Sequence, residues 1–228
     1  MNIKLFFIFV LLLIMKNTVN AQVSVGVKTV PLIPNGSSLT GTFENKTANK
    51  GSDDYRGYLP IINFGITIDY FFQNPFSLHT ELNYKIQGYQ DIAEFEIFAL
   101  NYIEIPLLFR YQRGDNIKFF IQAGPSLKFL SQATHDYRKQ NVKYKSTITD
   151  IYSSSVLVGN LGLGISYEIS ERMTLNSEFR FGYDLTQTVK SADNVLLDSG
   201  DTWTFNNTHL TQAAITIGVS YKLKSTNR

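Results

Sequence analysis

The sequence predicts an all-β fold, an eight-stranded antiparallel up-and-down transmembrane β-barrel, on three observations. Apolar and polar residues alternate with period two along most of the chain, which is the signature of strands with two unlike faces. Tight turns and long polar links take turns between those segments. The polar rows carry many charges, while the apolar rows form one continuous band of Ile, Leu, Val, Phe and Tyr.

The first element stands outside the barrel. Lys4 precedes the run from Leu5 to Met15, and Val19-Asn20-Ala21 follows it: a charged start, an apolar stretch and small residues before a cleavage point. Residues 1–21 are therefore expected to be a secretory signal peptide, and 22–228 the barrel domain. The run is too short for a spanning helix, which needs about 20 apolar residues. No second run of that kind follows, so insertion into a membrane has to use strands.

Strand by strand, Val23, Val25 and Val27 alternate with Ser24, Gly26 and Lys28. Ile62, Phe64, Ile66, Ile68, Tyr70 and Phe72 oppose Asn63, Gly65, Thr67 and Asp69. Leu78, Leu82, Tyr84 and Ile86 oppose His79, Glu81, Asn83, Lys85 and Gln87. Ile103, Ile105, Leu107, Phe109 and Tyr111 oppose Glu104 and Arg110. Segment 117–129 sets Ile117, Phe119, Ile121, Leu127 and Phe129 against Lys118, Phe120, Gln122, Gly124, Ser126 and Lys128. After a glycine-rich strand over 156–169, Phe179, Phe181, Tyr183 and Leu185 oppose Glu178, Arg180, Gly182 and Asp184. The last strand sets Ile215, Ile217, Val219, Tyr221 and Leu223 against Thr216, Gly218, Ser220 and Lys222.

The connections orient the barrel. Gln73-Asn74-Pro75, Arg113-Gly114-Asp115-Asn116 and Ser170-Glu171-Arg172 read as tight turns. Between them lie long polar stretches, 31–57, 91–96, 133–151 and 189–205, which are expected to be loops on the opposite rim. Membrane barrels have this asymmetry, with short periplasmic turns and long external loops.

A water-soluble barrel of eight strands would turn its apolar row inward. Here that choice is disfavoured by the aromatics near strand ends, Tyr58, Tyr70, Phe72, Phe76, Tyr111, Tyr167, Tyr183 and Tyr221, which suit interfacial girdles. The charged row then faces the lumen, where buried charges must pair.

Composition excludes several function classes. There is no Cys among the 228 residues, so disulfides, thiolate metal sites and Cys nucleophiles are absent. Removing the signal segment takes Lys4 and Lys16 from the 21 basic residues and leaves them equal to the 19 acidic ones. No nucleic-acid partner is expected from a neutral chain.

Tyr102-Ile103-Glu104-Ile105-Pro106, the segment Phe119 to Pro125 with its Ala-Gly-Pro, Leu161 to Ile169, and Gly218 to Leu223 together resemble the PorT-like outer-membrane β-barrels of Bacteroidota. The likeness covers nearly the whole mature chain. It implies the barrel fold, an outer-membrane location, lipid contact and recognition by the barrel-assembly machinery; the founding member is linked to protein secretion. Thr216, Gly218, Tyr221 and Leu223 resemble the assembly signal of such barrels, although Lys224-Ser225-Thr226-Asn227-Arg228 follow where many members end on an aromatic residue.

The candidate site is the lumen. Glu81, Glu104, Glu178 and Arg180 fall near mid-height, with Lys85, Arg110, Lys118 and Lys128 above and below, so the expectation is a structural ion-pair network that plugs the bore. Small residues on the same face, Gly162 and Gly164 among them, make room for the long side chains. Gly159 to Gly164 is not a phosphate loop, because the alternation continues through Ile165-Ser166-Tyr167 where a helix would have to begin. No catalytic residue, cofactor or metal site is expected. Ser77, His79 and Glu81 share a face, but i, i+2 spacing on one strand does not guarantee the angles a triad needs, and His79, His135 and His209 lack zinc spacing. Paired lumen carboxylates could serve sugar cleavage, but a packed bore leaves no room for a saccharide. The reading is a non-enzymatic barrel whose loops contact a protein or surface partner; the alternatives are a secretion component, a membrane-embedded hydrolase or acyltransferase, and a narrow channel.

Overall fold

The computed structural model describes residues 22–30, 40–44, 56–58, 62–73, 75–91, 96–139, 142–188, 190, 192–196, 202–205 and 209–223. Residues 1–21, expected to be the signal peptide, most of the first loop, the side chain of Trp203 and the final 224–228 lie outside the described residues.

In chain order the strands are β1 (Gln22–Thr29), β2 (Thr40–Glu44), β3 (Arg56–Tyr58), β4 (Ile62–Gln73), β5 (Phe76–Asp91), β6 (Glu96–Gly114), β7 (Ile117–Lys139), β8 (Val142–Thr147), β9 (Ser155–Glu168), β10 (Met173–Asp184), β11 (Ala192–Leu196), β12 (Thr202–Phe205) and β13 (Leu210–Lys222). Eight of them form the wall in the order β1-β4-β5-β6-β7-β9-β10-β13, every pairing antiparallel. Pairing of β1 with β13, from Ser24 opposite Lys222 to Thr29 opposite Ile217, closes the ring. Closure leaves no sheet edge in the lipid, where an unpaired N–H or C=O would cost several kcal/mol.

Which face looks inward is settled by exposure. Ile66, Ile105, Ile121, Leu163, Phe181 and Ile217 point outward and are exposed, while Glu81, Glu104, Gln122, Lys128 and Glu178 are buried. This is the inverse of a soluble barrel, and it fits a wall whose outer neighbour is hydrocarbon. Phe76 contacts Phe109 and Tyr111 near the turn end, with ring centroids 5.4 and 5.5 Å apart, as part of the aromatic belt. Among the described residues no helix is long and apolar enough to cross a membrane.

The turn rim is tight. At Gly114 the backbone has φ of 132°, and a Cβ there would sit 2.1 Å from the Ile117 carbonyl oxygen, so only glycine fits the turn. The opposite rim corrects the sequence reading. Stretches expected to be loops contain strands: β2 pairs β13, β3 pairs β5, β7 runs on to Lys139 and folds back through β8, and β11 pairs β12. Beyond the bilayer a strand needs no apolar outer face, so segments such as 142–147 are polar by composition and extended by pairing.

Inside this rim lies the one apolar cluster of the interior among the described residues. Leu100, Tyr102, Ala133, Ile148, Ile151, Tyr152 and Leu210 pack together, and a single 3-10 turn, Thr149–Ile151, carries Ile151 into the group.

Candidate functional site

The lumen side chains sort into tiers. The central one begins with Glu81 on β5. Its Oε1 lies 2.7 Å from Arg180 Nη2, and its Oε2 accepts from Arg180 Nη1 at 2.9 Å, a two-pronged pair. Lys28 Nζ on β1 sits 2.6 Å from Oε2, and Asn83 Nδ2 donates to the same oxygen at 2.7 Å. In the wall, β5 and β10 stand four strands apart on a ring of eight, so Arg180 crosses the full width of the bore to reach Glu81.

The tier closes on itself. Arg180 Nε donates to Glu178 Oε1 at 2.6 Å, Gln122 Nε2 donates to the same oxygen at 2.6 Å, and Arg110 Nε donates to Gln122 Oε1 at 2.7 Å. Arg110 Nη1 lies 3.0 Å from Asp69 Oδ1, and its guanidinium stacks 4.3 Å from the centroid of Phe120. His79 completes the circuit, with Nδ1 2.6 Å from Asp69 Oδ1 and Nε2 2.5 Å from Glu81 Oε1. Three acids, Asp69, Glu81 and Glu178, thus face Lys28, Arg110 and Arg180, with His79 between two of the carboxylates. Every one of these groups accepts or donates within the circuit, as buried charges require.

A second tier lies toward the loop rim. Lys85 Nζ donates to Glu104 Oε2 at 2.9 Å and to Gln212 Oε1 at 2.5 Å, and the Ser126 hydroxyl donates to Glu104 Oε1 at 2.6 Å. Lys128 Nζ reaches Asp184 Oδ1 at 2.6 Å and lies 5.1 Å from the Tyr102 ring centroid; Thr188 also donates to Asp184. Above it sits the apolar cluster. The third tier is at the turn rim, where Lys118 and Lys222 both bind Glu168 Oε1, at 2.7 and 2.5 Å.

Glycines set the spacing that these chains need. A Cβ at Gly162 would fall 2.5 Å from Glu178 Oε1, and one at Gly164 2.2 Å from Phe120 Cζ and 2.5 Å from the Ser177 carbonyl oxygen.

The sequence-derived residues therefore separate. Glu81, Glu178, Arg110 and Arg180 meet in the central circuit, Lys85 and Glu104 pair in the tier above, and Lys118 pairs at the rim. Lys28, Asp69, Asp184, Glu168 and Lys222 also belong to the network; each lies on the polar row of its strand, so the alternation carried the signal, and only their cross-bore partners were hidden. Of the four residues expected to form an assembly signal, Thr216 is buried on the lumen side and Gly218 abuts Lys28, whereas Tyr221 and Leu223 point outward, Tyr221 accepting a bond from Arg172 Nη1 at 3.1 Å. His135 is buried, and His209 places Nδ1 2.8 Å from the Asp184 carbonyl oxygen and stacks on Tyr183. Among the described residues no group of His, Asp or Glu could hold a metal ion.

Comparison with known proteins agrees with this architecture. A family model described as outer membrane protein beta-barrel domain matches residues 16–190. The chain is similar in fold to the outer membrane protein AlkL in lipid bilayers, at 13% identity and a TM-score of 0.55, covering 91% of this chain and 92% of that one. OprG from Pseudomonas aeruginosa gives 12% identity and a TM-score of 0.46, over 90% and 96% of the two chains. The attachment invasion locus protein Ail of Yersinia pestis gives 9% and 0.44, over 89% and 97%. Among curated proteins none matches.

Proposed function

The chain belongs to the outer membrane protein beta-barrel domain family, and from that premise we propose that it is a non-enzymatic outer-membrane barrel with a closed lumen, acting through its external rim. The observation that carries the closed lumen is the Arg180–Glu81 pair between opposite walls, locked into the circuit through Glu178, Gln122, Arg110, Asp69 and His79. Such a bar across a bore of eight strands leaves no path for ions. The apolar cluster near the loop rim supports the same reading from a second level.

The same tier supports a non-catalytic reading: the His79 and Glu81 side chains are buried and bonded to each other, with His79 also held by Asp69, so neither is held ready as a free acid or base. The external rim supports a contact role because β6, β7 and β8 rise there as a paired wall with Gln132 and Lys145 exposed. Barrel-assembly machinery and outer-membrane lipid are the remaining partners of this reading, and PorT-like kinship is its finer family assignment.

Planar-bilayer recording tests the lumen. The mature protein is expected to give no steady conductance, and reproducible single-channel steps would overturn the plug. Photo-crosslinkers at Gln132 and Lys145 on intact cells test the rim: adducts with a surface or secreted protein are expected, and a periplasmic adduct alone would favour the secretion-component alternative.

A further inference from the structure

We propose that the turn-side mouth of the barrel is a binding cup for carboxylates, on the rim opposite the one invoked above. Below the central circuit the lumen widens into a cavity of 280 Å³ to which all eight wall strands contribute lining residues. At roughly 30 Å³ per water this is room for about nine waters, which is the size of one amino-acid residue or a small organic acid, and far below a folded domain.

The polarity of the cup selects the ligand. Its charged residues are Arg110, Lys118 and Lys222 against Asp69 and Glu168, one cation in excess. Both acids are already engaged. Asp69 takes Arg110, His79 and Ser24, and Glu168 takes both lysines. The cations are not used up in the same way. Lys118 and Lys222 converge on a single oxygen, so two ammonium groups with six N–H between them share one acceptor. The floor repeats the pattern: the bonds described for buried Arg110 use Nε and Nη1 and leave out Nη2, although the residue lines the cavity. One cation more than the acids, and N–H donors that outnumber the acceptors described for them, call for an anion with two acceptor oxygens. A cation would meet two carboxylates already flanked by three cations.

Phe71, Phe72 and Phe76 form an apolar lip on one side of this polar cup. A carboxylate beside an apolar group satisfies both surfaces at once, as at the end of a peptide chain; a free organic acid shares the anionic chemistry and not the second contact.

The test uses the full mature protein, folded in nanodiscs and labelled for amide NMR. It is titrated with a tripeptide ending in free-acid Phe, with the same peptide as its C-terminal amide, and with acetate. The free-acid peptide is expected to give saturable shifts at Lys118, Glu168, Asn176 and Lys222 and none at the loop rim. The amide is expected to bind about tenfold more weakly or worse, since a charge-assisted bond is lost. Acetate binding as tightly as the peptide assigns the cup to small acids, and tighter peptide binding assigns it to chain ends. The double variant Lys118→Gln, Lys222→Gln should lose the acid preference, whereas Lys145→Gln on the other rim should keep it. Equal shifts with acid and amide, or no saturation at millimolar peptide, would overturn the proposal on the unaltered protein, whether or not the double variant folds.

Discussion

Replacing Glu81 by Gln tests the central circuit where it is most constrained. The carboxylate side chain is fully buried and serves Lys28, Arg180, His79 and Asn83 together. Its loss leaves the tier with three permanent cations and two acids. Arg180 keeps its contacts to Glu178 at 2.6 and 2.9 Å, so it stays compensated. Lys28 does not, because the ion pair described for it is with Glu81, and its side chain is only 6% exposed. Breaking a buried pair by removing one partner costs about 3–5 kcal/mol, and this case belongs there because an ammonium is stranded. Adding Lys28→Met restores two cations against two acids, so the double variant should be more stable than the sum of the two single losses by about 1–3 kcal/mol. Urea unfolding in phospholipid vesicles, followed by the heat-modifiable gel shift, measures all four proteins. High salt should leave the differences intact, since buried pairs are little screened. Additive losses within about 0.5 kcal/mol would refute the idea that Lys28 depends on Glu81.

Other perturbations probe the remaining surfaces. Ile121→Arg on the lipid side should cost about 2–4 kcal/mol near mid-membrane, and spin labels at Ile105, Ile121 and Phe181 should report acyl chains; relaxation by a water-soluble agent instead would reverse the assignment of faces. Gly164→Val should destabilise by about 1–3 kcal/mol or more through overpacking, because Phe120 can swing away but the Ser177 carbonyl cannot; an unchanged urea midpoint would count against it. Glu104→Ala should cost about 3 kcal/mol, the low end for a broken buried pair, since Lys85 retains Gln212 at 2.5 Å; a loss equal to that of Glu81→Gln would contradict this ranking.

How far the sequence reaches is visible in particular residues. Period two places Glu81, Glu104, Glu178 and Arg180 on one side of the wall, and the tight turns at 73–75, 113–116 and 170–172 fix which rim they are counted from. Both follow from local chemistry. Partner choice does not, because it depends on which strands stand opposite across the bore: Arg180 reaches Glu81, a separation of 99 residues, while its register neighbours on the wall are Gly162 and Ala214. His79 shows the same limit. Its position two residues from Glu81 was legible, whereas its contact with Asp69 needed the β4–β5 register that sets the two opposite each other. The rim strands were missed for a different reason, since the hydropathy alternation that reveals a strand in lipid vanishes where both faces meet water.

The two ends of the lumen are chemically unlike, and the difference follows from what each end borders. Toward the loops the wall continues as paired strands, and there Leu100, Tyr102, Ala133, Ile148 and Ile151 pack together beside buried His135 and Ser146, a cluster that forms only if water is expelled. Toward the turns the wall stops at once, so no further rows exist to bring side chains over the opening, and the cavity keeps Gln22, Gln112, Asn176 and three cations around its hollow. Between them the central circuit is held by hydrogen bonds from both directions and cannot yield at one point without stranding a charge at another. A molecule that entered from the turn side would therefore reach Arg110 and Asp69 and stop there. Any effect it had on the external rim would have to pass through Arg110 or Asp69, because both line the cavity and both belong to the bar across the bore, Arg110 through Gln122 and Asp69 through His79.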